Sequence, residues 1–382
     1  MEKKIVCICD TYYQIIFSMQ LRRTIYRDAY FAVLISNHSK NADVIAGRLS
    51  EMNFFSDVVY VESLDIEKEK NLFSVYKRIH VELSQLKGLQ FDEFLFFGVG
   101  KFPVVAFDLF CKKNPKLIPS RIEEGILSYN TPFHNKRRIR DFYLSLRMLL
   151  IWQKIKSKHT IFDRLENFYC YYPDLYEGDL TPKQVPLIDS LSSISESIKE
   201  LFGVAATDLS YPEKYMFFTS VYDFEGGEAI GEFKLVERIA NAVGKENLII
   251  KQHPRDRRGI YKESGYRVDE RSSIPFEALL FAMDFKNKVL LTATSGACLS
   301  AGVMLKEPPQ IYYLYPMCFI EQNPSALNTV SQLNKIIRSK VLRAELACVK
   351  VCTEIEEILT ENCSGETEEN DEDLMSNVKV GS

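Results

Sequence analysis

Three polar clusters of this sequence combine residue types that can perform acid–base chemistry beside a phosphate. They are Glu123-Glu124-Gly125, Lys251-Gln252-His253-Pro254 and Thr294-Ser295-Gly296, and each follows a strand-like run. A carboxylate can accept a proton, and a histidine can donate one near neutral pH. A hydroxyl pair at the start of a helix offers a phosphate site. Together the three clusters indicate acid–base chemistry near a phosphate.

The segments that position these clusters alternate between strand-like and helix-like patterns. The strand-like runs are Ile5–Cys9, Phe31–Ile35, Asp57–Val61, Glu93–Phe97, Tyr215–Ser220, Asn247–Lys251, Lys288–Thr292 and Gln310–Tyr313. Helix-length segments separate them, including one long predicted helix over Leu64–Leu86. This alternation predicts an α/β fold with parallel sheets covered by helices on both faces. Ligands of such sheets bind at the carboxyl ends of the strands, where the three clusters lie.

The chain is long enough for two domains, since its 382 residues exceed one typical core. We predict a Rossmann-like N-terminal domain over residues 1–172 and a connection over 173–213. A Rossmann-like C-terminal domain over 214–345 is predicted to follow. A terminal helix and an acidic, disordered tail are predicted over 346–382.

Composition limits the classes of partner. The net charge of −4 argues against a nucleic-acid partner. The nine cysteines show no zinc spacing, so no metal site is expected, and reduced thiols favour the cytoplasm. Asp371-Glu372-Asp373 lies in the acidic tail without a flanking strand and is not interpreted as a metal motif. No apolar run approaches the ~20 residues that span a bilayer.

A basic segment, residues 136–158, contains eight Lys or Arg residues and one acid, Asp141, together with an apolar face. Such a segment can lie as a helix at the inner face of an anionic cell membrane. It can equally pack against a second subunit in a homodimer or against its own domain. All three interpretations stay open.

At these motifs the chain resembles bacterial sialyltransferases. Glu123-Glu124-Gly125 matches their D/E-D/E-G motif, His253-Pro254 matches their H-P motif, and Thr294-Ser295 matches a short Ser/Thr motif. Ile274-Pro275-Phe276-Glu277 lies where those families contact the nucleotide. The resemblance covers roughly residues 1–340 and is greatest to glycosyltransferase family 52, the lipooligosaccharide and capsule sialyltransferases. Polysialyltransferases carry similar motifs.

This resemblance implies a GT-B arrangement, in which two Rossmann-like domains face a deep cleft. It implies a metal-independent, inverting transfer of sialic acid from CMP-sialic acid to a terminal galactose of a surface glycan, either lipooligosaccharide or capsule. CMP-sialic acid would be a substrate, and no cofactor is expected. The reaction would take place in the cytoplasm. The N-terminal domain would bind the acceptor, and the C-terminal domain would bind the nucleotide of the donor.

By motif position, Glu123 is predicted to be the catalytic base. A neighbouring ionised Glu124 would raise its pKa by repulsion, and Gly125 would allow a sharp turn that exposes the carboxylate. Acids at a helix start are also favoured by the helix dipole alone. Which of the two glutamates acts as base stays open, and Glu124 is also predicted to contact the substrate.

His253 is predicted to donate a proton to the departing phosphate, and Lys251 is predicted to add positive field there. Pro254 holds the preceding residue away from helical backbone. The remaining predicted nucleotide contacts come from the Ser/Thr motif and from the segment that precedes it, namely Thr294, Ser295, Gly296, Phe276 and Glu277. Thr11 and Gln14, which follow the first strand, are predicted to line the acceptor side.

Two other classes of function remain compatible with the sequence. One is a polysialyltransferase or a transferase that uses another CMP- or CDP-linked donor. The other is a nucleotide-sugar-binding module without turnover. The linkage formed, whether α2,3, α2,6 or α2,8, the natural acceptor and the oligomeric state are not determined by these residues.

Overall fold

The computed structural model describes residues 2–98, 100–125, 128–129, 161, 164–189, 192–204, 211–225, 227–253, 255–269, 271, 274–283, 285, 287–338 and 347–359. Contacts divide the chain into two compact units. The N-terminal unit comprises Met1–Leu209, Ser273–Met283 and Val303–Lys306. The C-terminal unit comprises Ser210–Ser272, Asp284–Gly302 and the part that follows Lys306.

The N-terminal unit is built on a seven-stranded sheet. Its strands are β1 (Lys4–Cys9), β2 (Tyr30–Ser36), β3 (Asp57–Val61), β4 (Glu93–Phe96), β5 (Ile118–Ile122), β6 (Asn167–Cys170) and β7 (Thr181–Gln184). They pair in the order β3-β2-β1-β4-β5-β6-β7, with every neighbouring pair parallel. The described helices of its first part are α1 (Tyr12–Arg23), α2 (Ala42–Glu51), α3 (Ser63–Lys68), α4 (Leu72–Glu82), α5 (Lys101–Cys111) and α6 (Ser193–Phe202).

The C-terminal unit is built on a six-stranded sheet. Its strands are β8 (Tyr215–Phe218), β9 (Leu248–Lys251), β10 (Arg267–Val268), β11 (Val289–Thr292), β12 (Gln310–Tyr313) and β13 (Val349–Val351). They pair in the order β10-β9-β8-β11-β12-β13, again all parallel. The described helices of the second half are α7 (Glu232–Val243), α8 (Ile260–Glu263), α9 (Phe276–Ala282), α10 (Gly296–Met304) and α11 (Pro324–Ile337).

Both sheets therefore have the doubly wound strand order 3-2-1-4-5-6, and the N-terminal sheet has one strand more. The strands are apolar because both faces of the sheets are covered. In β1, the consecutive residues Ile5, Val6 and Cys7 point to alternate faces and are all completely buried, as in other parallel sheets. The predicted α/β fold class, two Rossmann-like domains on parallel sheets as in GT-B proteins, is confirmed.

The predicted long helix over Leu64–Leu86 is wrong, because the chain breaks between α3 and α4. The side chain of Asn71 accepts a hydrogen bond from the backbone N–H of Phe73 at 2.9 Å and starts a new helix. Asparagine at this position satisfies a backbone donor that the first turn leaves unpaired.

Four strands, β6, β7, β10 and β13, lie in segments for which no strand was predicted. Strand β7 falls in the predicted connection 173–213 and extends the N-terminal sheet beside β6. Strand β13 falls where the terminal helix was predicted to begin and pairs with β12. Val349-Lys350-Val351 alternates apolar and charged residues, which is the period of an edge strand and not of a helix.

Several predictions concern residues outside the described part. The basic segment 136–158 and the acidic tail from residue 360 onward belong to this group, as does Pro254. Among the helices that the structure describes, none combines the length and apolar character needed to cross a membrane.

Candidate active site

In each unit, the candidate residues lie at the carboxyl edge of the sheet, near the point where the strand order reverses. In the N-terminal sheet this point lies between β1 and β4, which are followed by Asp10 and Gly98. A Cβ placed on Gly98 would lie 3.6 Å from Asp10 Oδ2, so the ends of the two strands are in contact. The next strand, β5, leads into Glu123 and Glu124. Crevices at such switch points are where doubly wound sheets bind ligands.

Glu123 is completely buried. Its carboxylate accepts hydrogen bonds from Tyr13 Oη at 2.5 Å, from Tyr129 Oη, and from the backbone N–H of Tyr171 at 3.0 Å. Burial raises its pKa to about 6, against the opposing effect of these donors. The predicted cause, repulsion from Glu124, is therefore replaced by desolvation. Glu123 fixes the end of β5 and has no surface through which to reach a substrate.

Glu124 is only partly buried and turns away from this network. Its backbone N–H donates to Ser128 Oγ at 2.9 Å, and Gly125 follows with φ of +82°, a left-handed conformation that suits glycine. Burial and, to a smaller extent, the charge of Asp10 raise the pKa of Glu124 to about 7, against the opposing effects of Arg121 and a hydrogen bond with Thr11. A carboxyl group with a pKa near the working pH is suited to general base catalysis.

Asp10 forms a small acid–imidazole cluster with His38. His38 Nδ1 lies 3.4 Å from Asp10 Oδ1, and Ser36 Oγ lies 2.6 Å from the same nitrogen. Burial raises the pKa of Asp10, and hydrogen bonding with Ser36 and the field of His38 oppose this shift. Asp10 belongs to the segment Asp10–Gln14 that is predicted to line the acceptor side, whereas His38, two residues after β2, is not identified by the sequence motifs.

Thr11 and Gln14, the predicted acceptor contacts, shape the turn between β1 and α1. Thr11 is the N-cap of α1 and accepts the backbone N–H of Gln14 at 3.3 Å. Gln14 is completely buried, and its Oε1 accepts the backbone N–H of Asp10 at 2.6 Å. Direct contact between Gln14 and a substrate is therefore contradicted by its burial, and Gln14 positions Asp10 instead.

In the C-terminal unit, His253 lies just beyond β9. Its backbone N–H donates to Thr219 Oγ1 at 2.8 Å, and its ring Nδ1 accepts the backbone N–H of Arg255 at 3.2 Å. Because Nδ1 accepts a hydrogen bond, the proton of the neutral ring lies on Nε2. Burial, assisted by Arg255, lowers the pKa of His253. The ring is thus neutral at pH 7 and presents an N–H donor.

Lys251 has a different partner from the one predicted. It forms an ion pair with Asp269, and only 11% of its side chain and 1% of that of Asp269 are exposed. The positive charge on Lys251 holds the pKa of Asp269 below its usual range despite burial. A lysine neutralised in this way joins β9 to the segment after β10 and adds little field to a phosphate.

The Thr294-Ser295-Gly296 cluster starts α10, as predicted. Thr292 Oγ1 donates to the carbonyl of Phe218 at 2.9 Å and accepts the backbone N–H of Ser295 at 2.8 Å. Thr294 is buried, and its Oγ1 has no hydrogen-bond partner. A Cβ placed on Gly296 would meet nothing within 4 Å. The start of α10 therefore combines an open space, an unpaired hydroxyl and helical N–H groups.

The start of α7, the corresponding helix after β8, is already occupied by carboxylates. Asp223 accepts the backbone N–H groups of Gly231 and Glu232 at 3.1 and 3.3 Å. Glu232 is completely buried and accepts the backbone N–H of Ser220 through both oxygens, at 3.0 and 2.9 Å. Asp223 takes the place that an anion would occupy at the start of α7, whereas the start of α10 is open to a phosphate.

Phe276 and Glu277, the other predicted nucleotide contacts, start α9. Contacts group this helix with the N-terminal unit, where it packs against α6, and Ser195 Oγ donates to the carbonyl of Phe281 at 3.5 Å. Phe276 is buried and Glu277 is half-buried. The N-terminal unit thus contains Glu123, Glu124 and Thr11, together with α9. The C-terminal unit contains His253, Thr294, Ser295 and Gly296.

Comparison with known proteins adds likeness of fold alone. No family model matches the chain, and no curated protein matches it by sequence. Among solved structures, a putative UDP-N-acetylglucosamine 2-epimerase from Listeria monocytogenes is 12% identical, with a TM-score of 0.47 and 91% of each chain covered. An α/β-galactoside α-2,3-sialyltransferase from Photobacterium phosphoreum is 15% identical, with a TM-score of 0.47 and coverage of 94% of this chain and 100% of that one. Acinetobacter baumannii MurG is 9% identical, with a TM-score of 0.40 and coverage of 95% and 90%.

Proposed function

We propose that this protein is a glycosyltransferase that transfers sialic acid from CMP-sialic acid to a galactose-terminated glycan. One observation carries the proposal. Each Rossmann-like sheet holds at its carboxyl edge a partly exposed acid–base residue from the sequence motifs, Glu124 in the first and His253 in the second. Both residues belong to the motifs through which the sequence resembles sialyltransferases.

Glu124 is the proposed base, in place of Glu123. An acceptor hydroxyl loses its proton to the Glu124 carboxylate while its oxygen forms a bond to the anomeric carbon. The raised pKa makes the carboxylate a stronger base than an exposed glutamate, and half of it is still ionised near pH 7. Glu123, held by Tyr13 and Tyr129, keeps the β5 end rigid.

His253 is the proposed donor to the leaving group. The bond between the anomeric carbon and the phosphate oxygen breaks, and CMP departs with the bonding electrons. The second pKa of a phosphate monoester is about 6, so CMP leaves as a dianion that needs a hydrogen bond more than a proton. The Nε2–H of neutral His253 supplies that hydrogen bond.

The start of α10 is the proposed phosphate cradle. Its N–H groups can donate to phosphate oxygens, and the space at Gly296 allows close approach. A single displacement with one base and one leaving-group donor inverts the anomeric configuration. No covalent intermediate is required.

We place this reaction in the cytoplasm, where thiols are kept reduced. All eight cysteines in the described part of the chain are free thiols. Cytosolic proteins rarely hold disulfides, so this state fits the proposed compartment.

The test is incubation of the purified protein with CMP-sialic acid and lactose, followed by separate measurement of CMP and sialyl-lactose. Equal release of both supports the proposal. CMP release without sialyl-lactose indicates another acceptor, such as a sialylated chain for a polysialyltransferase. Binding of CMP-sialic acid with no release of CMP indicates a binding module and would contradict the proposed enzyme. The same assay with UDP-N-acetylglucosamine as the donor is the control for the nucleotide base.

A further inference from the structure

The N-terminal unit holds a cavity of about 440 Å³ at the C-terminal end of α1. It is bordered by the chain that ends α2 and by the first two turns of α6. Three arginines, Arg22, Arg23 and Arg27, line it together with Phe54 and two serines, Ser193 and Ser197. A volume of this size fits one or two sugar rings with a charged group.

This cavity is separate from the candidate active site. Helix α1 begins beside Thr11 at the carboxyl edge of the sheet and ends at Arg23, 12 residues later. At 1.5 Å per residue the helix is about 18 Å long, so its two ends lie at opposite edges of the sheet. None of the residues that line the cavity belongs to the proposed base, donor or phosphate cradle.

The arginines leave positive charge directed at the cavity. Arg22 is partly engaged, since its Nη1 donates to the carbonyl of Tyr26 at 2.9 Å. Arg23 lies over the ring of Phe54 at 4.6 Å, which holds its guanidinium in place. Within the described residues, neither Arg23 nor Arg27 forms an ion pair. Arg27 Nε donates to the carbonyl of Arg23 at 3.4 Å, which leaves the Nη groups of Arg27 able to bind a phosphate oxygen.

The start of α6 adds donors at the same place. Its N-cap, Ser192, makes no capping hydrogen bond through its side chain, which donates instead to the carbonyl of Asp189 at 2.6 Å. The N–H of Ser195 donates to the carbonyl of Ser192 at 3.0 Å, and the N–H groups of Ser193 and Ile194 keep their capacity to donate. Ser193 extends this donor surface with a hydroxyl group, whereas the Ser197 hydroxyl donates to the carbonyl of Ser193 at 3.1 Å. Positive charge and helical N–H groups thus converge on one wall.

The remaining wall suits a hydroxylated ring and not a second anion. Glu200 lines the cavity, and in the described part of the chain it forms no ion pair with the three arginines. A carboxylate accepts hydrogen bonds from sugar hydroxyls and repels further negative charge. Asn53 also lines the cavity, in a left-handed conformation with φ of +50°, and carries a side-chain amide.

We propose that this cavity binds a phosphorylated saccharide. The phosphate lies against Arg23, Arg27 and the start of α6, and the sugar hydroxyls donate hydrogen bonds to Glu200. The site acts as a binding site apart from the reaction centre, and its occupancy does not depend on the proposed transfer.

The test is titration calorimetry of the full chain with glucose 1-phosphate, inorganic phosphate and glucose. We expect saturable binding of glucose 1-phosphate at least ~10-fold tighter than that of phosphate, and no measurable binding of glucose, because charge-assisted hydrogen bonds dominate. Arg23→Gln with Arg27→Gln should weaken glucose 1-phosphate binding at least ~10-fold. Glu200→Gln should reduce the preference for the sugar phosphate over inorganic phosphate.

The matched control is Lys113→Gln with Lys116→Gln, which removes the same charge from exposed residues of the same unit. Equal weakening in both double variants would show a general charge effect and overturn the proposal. The absence of saturable binding, or equal affinity for phosphate and glucose 1-phosphate, would overturn it as well. Binding confined to vesicles that contain phosphatidic acid would assign the site to a lipid phosphate instead. CMP release with lactose, measured on the same variants, reports separately on the proposed transfer.

Discussion

Two adjacent glutamates have different roles because the chain buries one and leaves the other partly open. Glu123 directly follows the buried strand β5. Its carboxylate oxygens accept hydrogen bonds from the hydroxyl groups of Tyr13 and Tyr129 and from the backbone N–H of Tyr171. Glu124 lies one residue further on, in a turn that Gly125 makes possible. The motif predicts that an acid is needed here, but the partners of Glu123 come from distant segments and cannot be read from local sequence.

Exchange of Glu124 for glutamine is expected to lower turnover at least ~10²-fold with little change in stability, because a general base is lost and no buried network is disturbed. In the parent protein, kcat/KM should fall tenfold per pH unit below about 7, where Glu124 becomes protonated. Glu123→Gln is the matched comparison and should mainly lower the melting temperature. The roles are reversed if Glu124→Gln retains turnover while Glu123→Gln folds normally and loses it.

Exchange of His253 for alanine is expected to reduce turnover at least ~10²-fold. Because its pKa is lowered and Nε2 carries a proton in the neutral ring, deprotonation of imidazolium should leave the donor in place. Turnover should therefore stay level from pH 7 to about 9. A decline of kcat across that range, absent in His253→Ala, would show that a charged imidazolium is required.

At the scale of elements, the strands could largely be predicted, and their partners could not. Apolar runs locate β1 to β4 and β8, β9, β11 and β12 within one or two residues, because most of their side chains are buried on both faces, although Tyr60 of β3 is exposed. Strand β7, whose sequence is Thr181-Pro182-Lys183-Gln184, is exposed and carries no apolar signal. It is a strand because β6 offers a free edge, which is a property of the assembled sheet. The difference between the starts of α7 and α10 could not be predicted from local sequence either. Only the folded unit shows that Asp223 and Glu232 lie at the start of α7.

Gly296 is expected to leave space for the phosphate of the donor substrate and not to be required for stability. It has no positive φ, and an added Cβ meets no protein atom, so Gly296→Ala should keep the melting temperature. The methyl group would instead enter the space proposed for the phosphate, and KM for CMP-sialic acid should rise at least ~10-fold. Gly47→Ala, another helix glycine with open space, is the control and should leave KM unchanged. An unchanged KM in Gly296→Ala would remove the start of α10 as the phosphate cradle.

Glu232 should make the C-terminal unit less stable as pH rises. Burial raises its pKa from 4.5 to about 8, so the folded state retains a proton that the unfolded state releases. Its contribution is fully present below pH 4.5 and is lost as pH increases through about 8. In urea titrations, the unfolding free energy should fall between pH 5 and 8 by a few kcal/mol more in the parent than in Glu232→Gln. Parallel pH curves for the two proteins would contradict this, and Glu246→Gln, at an exposed residue, is the control.

At the scale of the whole molecule, the two units repeat one plan. Each has the strand order 3-2-1-4-5-6 and places polar residues at the carboxyl edge, so either half of the sequence predicts the other's architecture. The path of the chain between them does not follow from local patterns. Residues 273–283 and 303–306 group with the N-terminal unit, although their neighbours in sequence belong to the C-terminal unit. Their apolar residues predict a helix, but its packing partner α6 is set by contacts across some 80 positions, as between Ser195 and Phe281.

Transfer is expected to proceed without a divalent metal ion, because the protein supplies its own donors to the departing phosphate. The Nε2–H of His253 and the N–H groups at the start of α10 can offset its charge, and CMP leaves with one phosphate only. Turnover with CMP-sialic acid and lactose should be the same in EDTA and in added magnesium or manganese. His253→Ala sharpens the test, since an ion that acted on the phosphate would partly restore this variant. Loss of parent activity in EDTA with recovery in manganese would show that a metal ion performs the work assigned here to His253 and α10.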